Sequence, residues 1–279
     1  MNLCLEGRHS CRPKPRSAAT GMSPLRCSRG LPLGGLLTAL FCLFAFTHSA
    51  RTADITTPTP LLNDPVAGLA LAADVRDARP AANTELHGLL KIRRRDGSTT
   101  NVPIVSRIVL ADKSWQAIYQ GGPTNQGETL IVTRAAGAPT EYRYAQQGAA
   151  PAPLAAADLW QPFAGSDFSL GDLGLEFFHW PKQTLVQNEM RKNFPCHVLE
   201  SRPAVTNAYG RVLTWVEVET GGVVMAEAYD ARNKPLKEFE VKRFKKVNDQ
   251  WQLQEMEMRN LKDRSRTLLQ FDVSEPEAK

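Results

Sequence analysis

The chain has 279 residues, with 34 Lys and Arg against 29 Asp and Glu, a formal charge of +5. Six of the basic residues and one acidic residue fall in 1–50, so residues 51–279 are neutral overall and show no basic excess for nucleic acid or an acidic membrane surface. Hydrophobic residues make up 42% of the chain and five are Trp, which excludes wholesale disorder.

Residues 31–47 are uncharged and mostly apolar, preceded by Arg26 and Arg29 and followed by His48, Ser49 and Ala50. A basic region, an apolar core and a small-residue exit describe a secretory signal peptide over 1–50, cut after Ser49 or Ala50. The apolar stretch is short for a membrane span, and Gly34-Gly35 weakens it as a helix. Cys42 follows Phe41 rather than a small residue, so lipidation there is not expected. Residues 1–21 make a long basic region, which marks Met22 as an alternative start. Cys4, Cys11, Cys27 and Cys42 all lie in this leader. Cys196 alone follows it, so no internal disulfide is possible, and a lone Cys reads as a small buried hydrophobe.

Residues 51–64 read as a linker, with Thr56, Thr57, Pro58, Thr59 and Pro60. Asp64-Pro65 supplies an N-cap and a first-turn proline. Val66, Leu69, Ala70 and Ala73 recur at helical spacing, which predicts a helix over 65–77 that Pro80 stops. Strands are expected at 86–94 and 102–110 around the Asp96-Gly97 turn, then at 115–119, 129–134 and 141–145. Residues 148–157 are rich in Pro and Ala and predict a long loop. Ser169 and Asp172 have the spacing of a capping box, which starts a helix that ends at Pro181. A second short helix is expected over 184–191.

Six strand candidates follow, at 196–200, 211–219, 223–229, 236–244, 251–258 and 267–273. Short turns join most of them and force antiparallel neighbours, so this third of the chain predicts a meander. Charged Lys237, Glu238, Glu240, Lys242 and Arg243 interleave with Leu236, Phe239, Val241 and Phe244, giving one wet and one dry face. The helix at 65–77 and the segment 169–191 are available to cover the dry face.

Catalytic and metal signatures are missing from this pattern. Beyond the leader the His residues are His87, His179 and His197, none with a His or Cys at metal-site spacing. Cys196 and His197 are adjacent and on a strand point to opposite faces, so they form no local dyad. A dyad of Cys196 with His179 requires proximity in the fold. The run Gly171-Asp172-Leu173-Gly174 lacks the Lys and Ser/Thr of a phosphate loop, and Asp172 would repel phosphate. The basic runs Arg93-Arg94-Arg95 and Lys242-Arg243 with Lys245-Lys246 abut turns and read as solvated hairpin ends. No cofactor and no metal is expected, and the chain does not read as an enzyme.

The order of short blocks resembles the outer-membrane lipoprotein-sorting family, the LolA-like group of exported bacterial proteins. The blocks are Gly88, Leu90, Ile92 and Arg93; then Asp167-Phe168-Ser169 with Asp172-Leu173; then Trp215-Val216-Glu217 and Tyr229-Asp230. They continue through Leu236-Lys237, Glu240-Val241, Trp251, Met256-Glu257-Met258 and Arg266-Thr267. The likeness extends over a single domain at 65–273, with 274–279 left as a tail. It implies an α+β, mainly antiparallel β fold, an incomplete, half-open β-barrel with covering helices, as in LolA and LolB. It further implies a periplasmic carrier or sensor, soluble after signal cleavage, whose apolar cavity takes lipid or lipoprotein acyl chains. Inner- and outer-membrane partner proteins would accompany such a role, and nucleic acid would not.

The residues that suit the dry face are Trp215, Met225, Phe239, Met256, Met258, Leu269 and Phe271, with deformable Met fitting an adaptable apolar site. Two other readings stay open. One is a non-catalytic envelope interaction module with a filled barrel, and the other a hydrolase using Cys196 or a carboxylate pair. An apolar cavity, no cavity, or a polar cleft would separate the three.

Overall fold

A computed structural model describes residues 62–123, 126–206, 208–247 and 250–272. The leader, the residues of the linker before Leu62, and the tail lie outside the described residues.

Helix α1 spans Pro65–Asp77. Its start is the expected one: the Asp64 carboxylate accepts from the amides of Val66 and Ala67, both at 2.9 Å. Its buried face is formed by small residues. Gly68 and Ala72 are buried, whereas Val66 and Leu69 are 77% and 52% exposed. Small residues face inward because α1 lies close on a strand: a Cβ on Gly68 would come within 2.6 Å of the backbone of Thr184 and Leu185.

Strands β1 (Thr84–Arg93), β2 (Thr99–Leu110), β3 (Ser114–Gly121), β4 (Glu128–Ala135) and β5 (Glu141–Gln146) form consecutive antiparallel hairpins. The segment expected as a long loop instead contains β6 (Ala152–Pro153), which pairs with β5, and opens a 3-10 turn at Ala156–Trp160.

The segment between β6 and the next strand crosses over the sheet. It contains that 3-10 turn, helix α2 (Leu170–Leu173) and a second 3-10 turn at Glu176–His179. The capping box of α2 is present: the Ser169 hydroxyl accepts from the Asp172 amide at 3.1 Å, and the Asp172 carboxylate accepts from the Ser169 amide at 2.9 Å.

Residues 184–191, expected as a helix, are part of strand β7 (Lys182–Arg191). It pairs antiparallel with β8 (Phe194–Arg202) across Lys192 and Asn193, which both have positive φ (51° and 67°). Two consecutive left-handed residues match the right-handed twist of a hairpin, and that pairing overrides the local helical reading. Then β9 (Arg211–Glu217), β10 (Val223–Tyr229), β11 (Pro235–Val247), β12 (Gln250–Asn260) and β13 (Ser265–Phe271) follow as a meander.

The two meanders join through β1 and β13, giving one sheet of 13 strands in the order β6-β5-β4-β3-β2-β1-β13-β12-β11-β10-β9-β8-β7. The sheet is open, with β6 and β7 as its edges. At the seam Gly88 stands opposite Phe271, and a Cβ there would lie 2.3 Å from the Gln270 carbonyl oxygen. Glycine therefore permits the close approach on which the joint depends. Leu90 and Ile92, next on the same face of β1, are 1% and 2% exposed.

Side chains from the sheet and the crossing segment make two buried clusters. One gathers Leu90, Ile104, Leu130, Met256 and Leu269 against Phe163, Phe168 and Leu170. The other gathers Ala72, Phe177, Phe178 and Trp180 against Val212, Val223 and Ala226. A third cluster, of Cys196, Val198, Trp215, Val224 and Met225, lies on the other face of β8, β9 and β10.

Candidate functional site: a covered apolar cavity

A cavity of about 270 Å³ lies where the first two clusters meet. Its floor comes from the sheet. Ile108, Trp115, Ala117, Tyr119 and Val132 line one side, and Val212, Val223, Ala226, Ala228, Phe239, Met256 and Met258 the other. Its cover comes from Phe168, Leu173, Leu175 and Phe177 of the crossing segment. Val75 of α1 and residues 78–81 border it as well. Four charged residues, Arg79, Arg134, Asp172 and Lys237, interrupt an otherwise predominantly apolar wall.

Of the residues singled out in the sequence, Phe239, Met256 and Met258 line this cavity. Leu269 and Phe271 are 0% and 1% exposed and belong to the adjacent solid cluster. Trp215 and Met225 lie in the third cluster. There the Trp215 indole N–H donates to Glu189, and the Arg191 guanidinium lies 5.1 Å from its ring centroid. The cause is strand parity. Val212 of β9 faces the cavity, so Trp215, three residues on, faces away. A register shift between Val223 and Met225 then places both Val224 and Met225 on the outer side.

The cover is tied down by polar groups from three strands. Arg134 of β4 donates from Nη2 to the Gly174 carbonyl at 2.5 Å. The Tyr142 hydroxyl of β5 donates to Glu176 Oε2 at 2.9 Å and lies 3.3 Å from the same carbonyl. The Tyr119 hydroxyl of β3 reaches the Leu173 carbonyl at 3.4 Å. Burial pushes the Tyr119 phenol up to about 12 and raises that of Tyr142 well above its ordinary value, so both hydroxyls keep their donor protons at neutral pH. Burial likewise raises the Glu176 carboxyl, against the opposing pull of the Tyr142 hydrogen bond and Arg134.

A second group anchors the other end of the cover. Asp167 Oδ2 accepts from the Thr267 hydroxyl at 2.8 Å and its Oδ1 from the Ser265 hydroxyl at 2.5 Å. Asp172 Oδ2 lies 3.0 Å from the Lys237 ammonium, and Asp172 Oδ1 accepts from the Tyr209 hydroxyl at 3.0 Å.

Sequence reasoning missed Arg134 and the tyrosines around it. A lone Arg at the end of a short strand carries no signal until the register places it opposite Trp115, whose ring centroid its guanidinium approaches to 5.0 Å.

Cys196 and His179 occupy separate surroundings. The Cys196 thiol donates to the Phe194 carbonyl at 3.4 Å, and burial, with Glu217 nearby, pushes it up to about 11. His179 Nε2 pairs with the Thr140 hydroxyl at 2.8 Å. Among the described residues no group of three or more His, Cys, Asp or Glu is placed to hold a metal ion. No described helix is long and apolar enough to cross a membrane.

No curated protein matches the sequence. Solved structures do match its fold. A LolA superfamily protein from Nitrosomonas europaea aligns at 16% identity and a TM-score of 0.52, over 77% of this chain and 95% of its own. A domain described as an outer membrane lipoprotein-sorting protein domain, from Vibrio parahaemolyticus, aligns at 16% identity and a TM-score of 0.62, over 75% and 92%. A DUF1329 family protein from Desulfovibrio piger aligns at 20% identity and a TM-score of 0.59, over 77% and 96%. At these identities the likeness is one of fold. Residues 118–278 match the model of a family described as "-like: Uncharacterized protein". That model spans more than half of the sequence, and the chain belongs to this family, built on the LolA-like open barrel.

Proposed function

We propose that this protein is an exported, non-catalytic carrier or sensor that holds lipid or lipoprotein acyl chains in the covered cavity. The observation that carries the reading is the cavity itself: a void walled by Val, Ala, Phe, Met and aromatic side chains under a cover of short helical turns. A filled interaction module has no such void, and a hydrolase needs convergent titratable groups where this wall is mainly apolar. Each methylene moved from water into the cavity contributes roughly 0.8 kcal/mol, so an acyl chain supplies enough driving force after ordering costs. Phe239, Met256 and Met258 are the contact residues on the sheet side. The neighbours related by fold include a LolA superfamily protein and a lipoprotein-sorting domain, which supports the same reading.

In this reading residues 1–50 direct export and are removed, 65–273 form one lipid-binding domain, and the protein works in the periplasm of a Gram-negative-type bacterium. Membrane-bound donors and acceptors of the cargo would be its partners. The test is native mass spectrometry of protein purified from an envelope extract, with lipid analysis of the organic phase. Stoichiometric lipid or lipopeptide is the expected result. A clean apo mass, together with no uptake of an acyl-chain fluorophore, overturns the proposal in favour of an interaction module.

A further inference from the structure

The wall of the cavity is unbalanced in charge. Arg79, Arg134 and Lys237 face it with Asp172 as the one carboxylate among the lining residues. Lys237 is the partner of Asp172, at 3.0 Å. Neither Arg79 nor Arg134 has a carboxylate within ion-pair distance among the described residues. Arg79, at the border, donates to the carbonyls of Ser114 and Ala111. Arg134 is held deeper. Its five donors make one hydrogen bond, to the Gly174 carbonyl, and its buried Nε has no partner. The face of Trp115 lies beside it. A largely buried guanidinium is costly unless charge and hydrogen bonds complete it. Glu176 and Asp77 act on Arg134 only at longer range, their carboxylates being bonded to Tyr142 and Arg76.

The charge of the wall defines the cargo. Resting on the acyl-chain reading above, we infer that the cavity takes an acyl amphiphile with an anionic head, a carboxylate or a phosphate monoester, received by the Arg134 guanidinium. Arg134 is suited to either head because its planar fork matches both geometrically.

The test displaces a neutral apolar fluorophore from the full chain at pH 8, with ligands kept below micelle formation. The ligands are dodecanol, dodecanoate and dodecyl phosphate, which share one chain and differ in the head. The expected result is about tenfold or tighter binding of an anionic ligand over dodecanol, the scale of a hydrogen bond to a charged group. Dodecanoate ahead of dodecyl phosphate assigns a fatty-acid source, and the reverse order assigns a phosphate-headed lipid. Arg134→Met should bring the ratio of anionic ligand to dodecanol to about one, whatever its effect on the two affinities together, while Arg134→Lys keeps a preference. Equal affinity of dodecanol and both anions for the native chain overturns the inference and leaves the acyl cavity standing. That comparison needs no variant, so it is decisive even if Arg134→Met misfolds. An unchanged ratio in a folded Arg134→Met protein overturns the assignment to Arg134. No displacement by any of the three overturns the inference and the acyl-chain reading together.

Discussion

The Lys237 ammonium stands 3.0 Å from Asp172 Oδ2 and 2.8 Å from the Asp167 carbonyl, so one side chain of β11 ties the sheet to both ends of the turn that begins α2. Asp172 is at the same time the N3 residue of the capping box and the acceptor of the Tyr209 hydroxyl. The pair is largely shielded, with side chains 17% and 8% exposed. Removing one partner leaves a buried charge unmatched, which costs far more than the pair contributes. Asp172→Asn should therefore lower stability by about 3 kcal/mol, and adding Lys237→Met should restore a good part of that. Urea unfolding of the single and double variants checks this. Additive losses would show that the two side chains do not act as a pair.

Gly174 packs the cover directly against Tyr142 of the sheet. A Cβ at this position would lie 2.3 Å from Cε1 and Oη of Tyr142. Gly174→Ala thus forces the Tyr142 ring away and breaks its hydrogen bond to Glu176. The expected cost is about 1–3 kcal/mol, as for overpacking elsewhere. Amide exchange should localise it: faster exchange in 170–180 with β12 and β13 unchanged. Protection lost evenly over the sheet would mean that the cover is not a separate unit.

The strands of the last third were legible because apolar and charged residues alternate there and short turns separate them. Two blocks of the resemblance meet in the fold: Asp167 accepts from the Thr267 hydroxyl, so motifs 100 residues apart share one anchor. Strand β7 was not legible. A register shift between Leu185 and Gln187 interrupts the period of two, and polar Gln187, Asn188 and Glu189 follow, which mimics a solvated helix. The spacing of Val66, Leu69, Ala70 and Ala73 marks α1 as a helix but not its inward face, because close packing on β7 selects Gly68 and Ala72 over the larger Val66 and Leu69. Alternation on β11 and β12 marks Phe239, Met256 and Met258, which line the cavity, whereas parity on β9 and the bulge in β10 turn Trp215 and Met225 outward. Arg134 depends on cross-strand register, which a single sequence does not fix.

Ala226 of β10 offers a way to fill the cavity without disturbing the sheet. It lines the void and is 7% exposed. Ala226→Leu adds an isobutyl group in place of a methyl and excludes about two methylenes of a bound chain. At roughly 0.8 kcal/mol each, binding of a twelve-carbon ligand should weaken about tenfold, and that of an eight-carbon ligand far less. Thermal unfolding should change little, because the new group enters open space. Fluorophore displacement with the two chain lengths checks the expectation. Equal weakening of both would indicate a distorted site and not a shortened one.

His179 gives the cover a dependence on acid. Burial, with Arg134 and Arg76 nearby, pushes its imidazole down to about 4, and Asp77 opposes this only in part. In the unfolded chain the same group titrates at roughly 6.5. Between these values the unfolded state binds a proton that the folded state does not, so stability rises with pH across the window. His179 costs nothing above about 6.5, and its penalty grows as the pH falls toward 4. Discounted for the exposed part of the ring, the loss over that range is about 2 kcal/mol. Glu176, raised by burial, works the other way, since its folded state keeps a proton longer as the pH rises. His179→Gln removes the first effect, can keep a hydrogen bond to Thr140, and leaves the second untouched. The variant should show a flatter stability profile between pH 6.5 and 4 than the native chain, crossing it on the acid side. Parallel profiles would place the titrating group elsewhere.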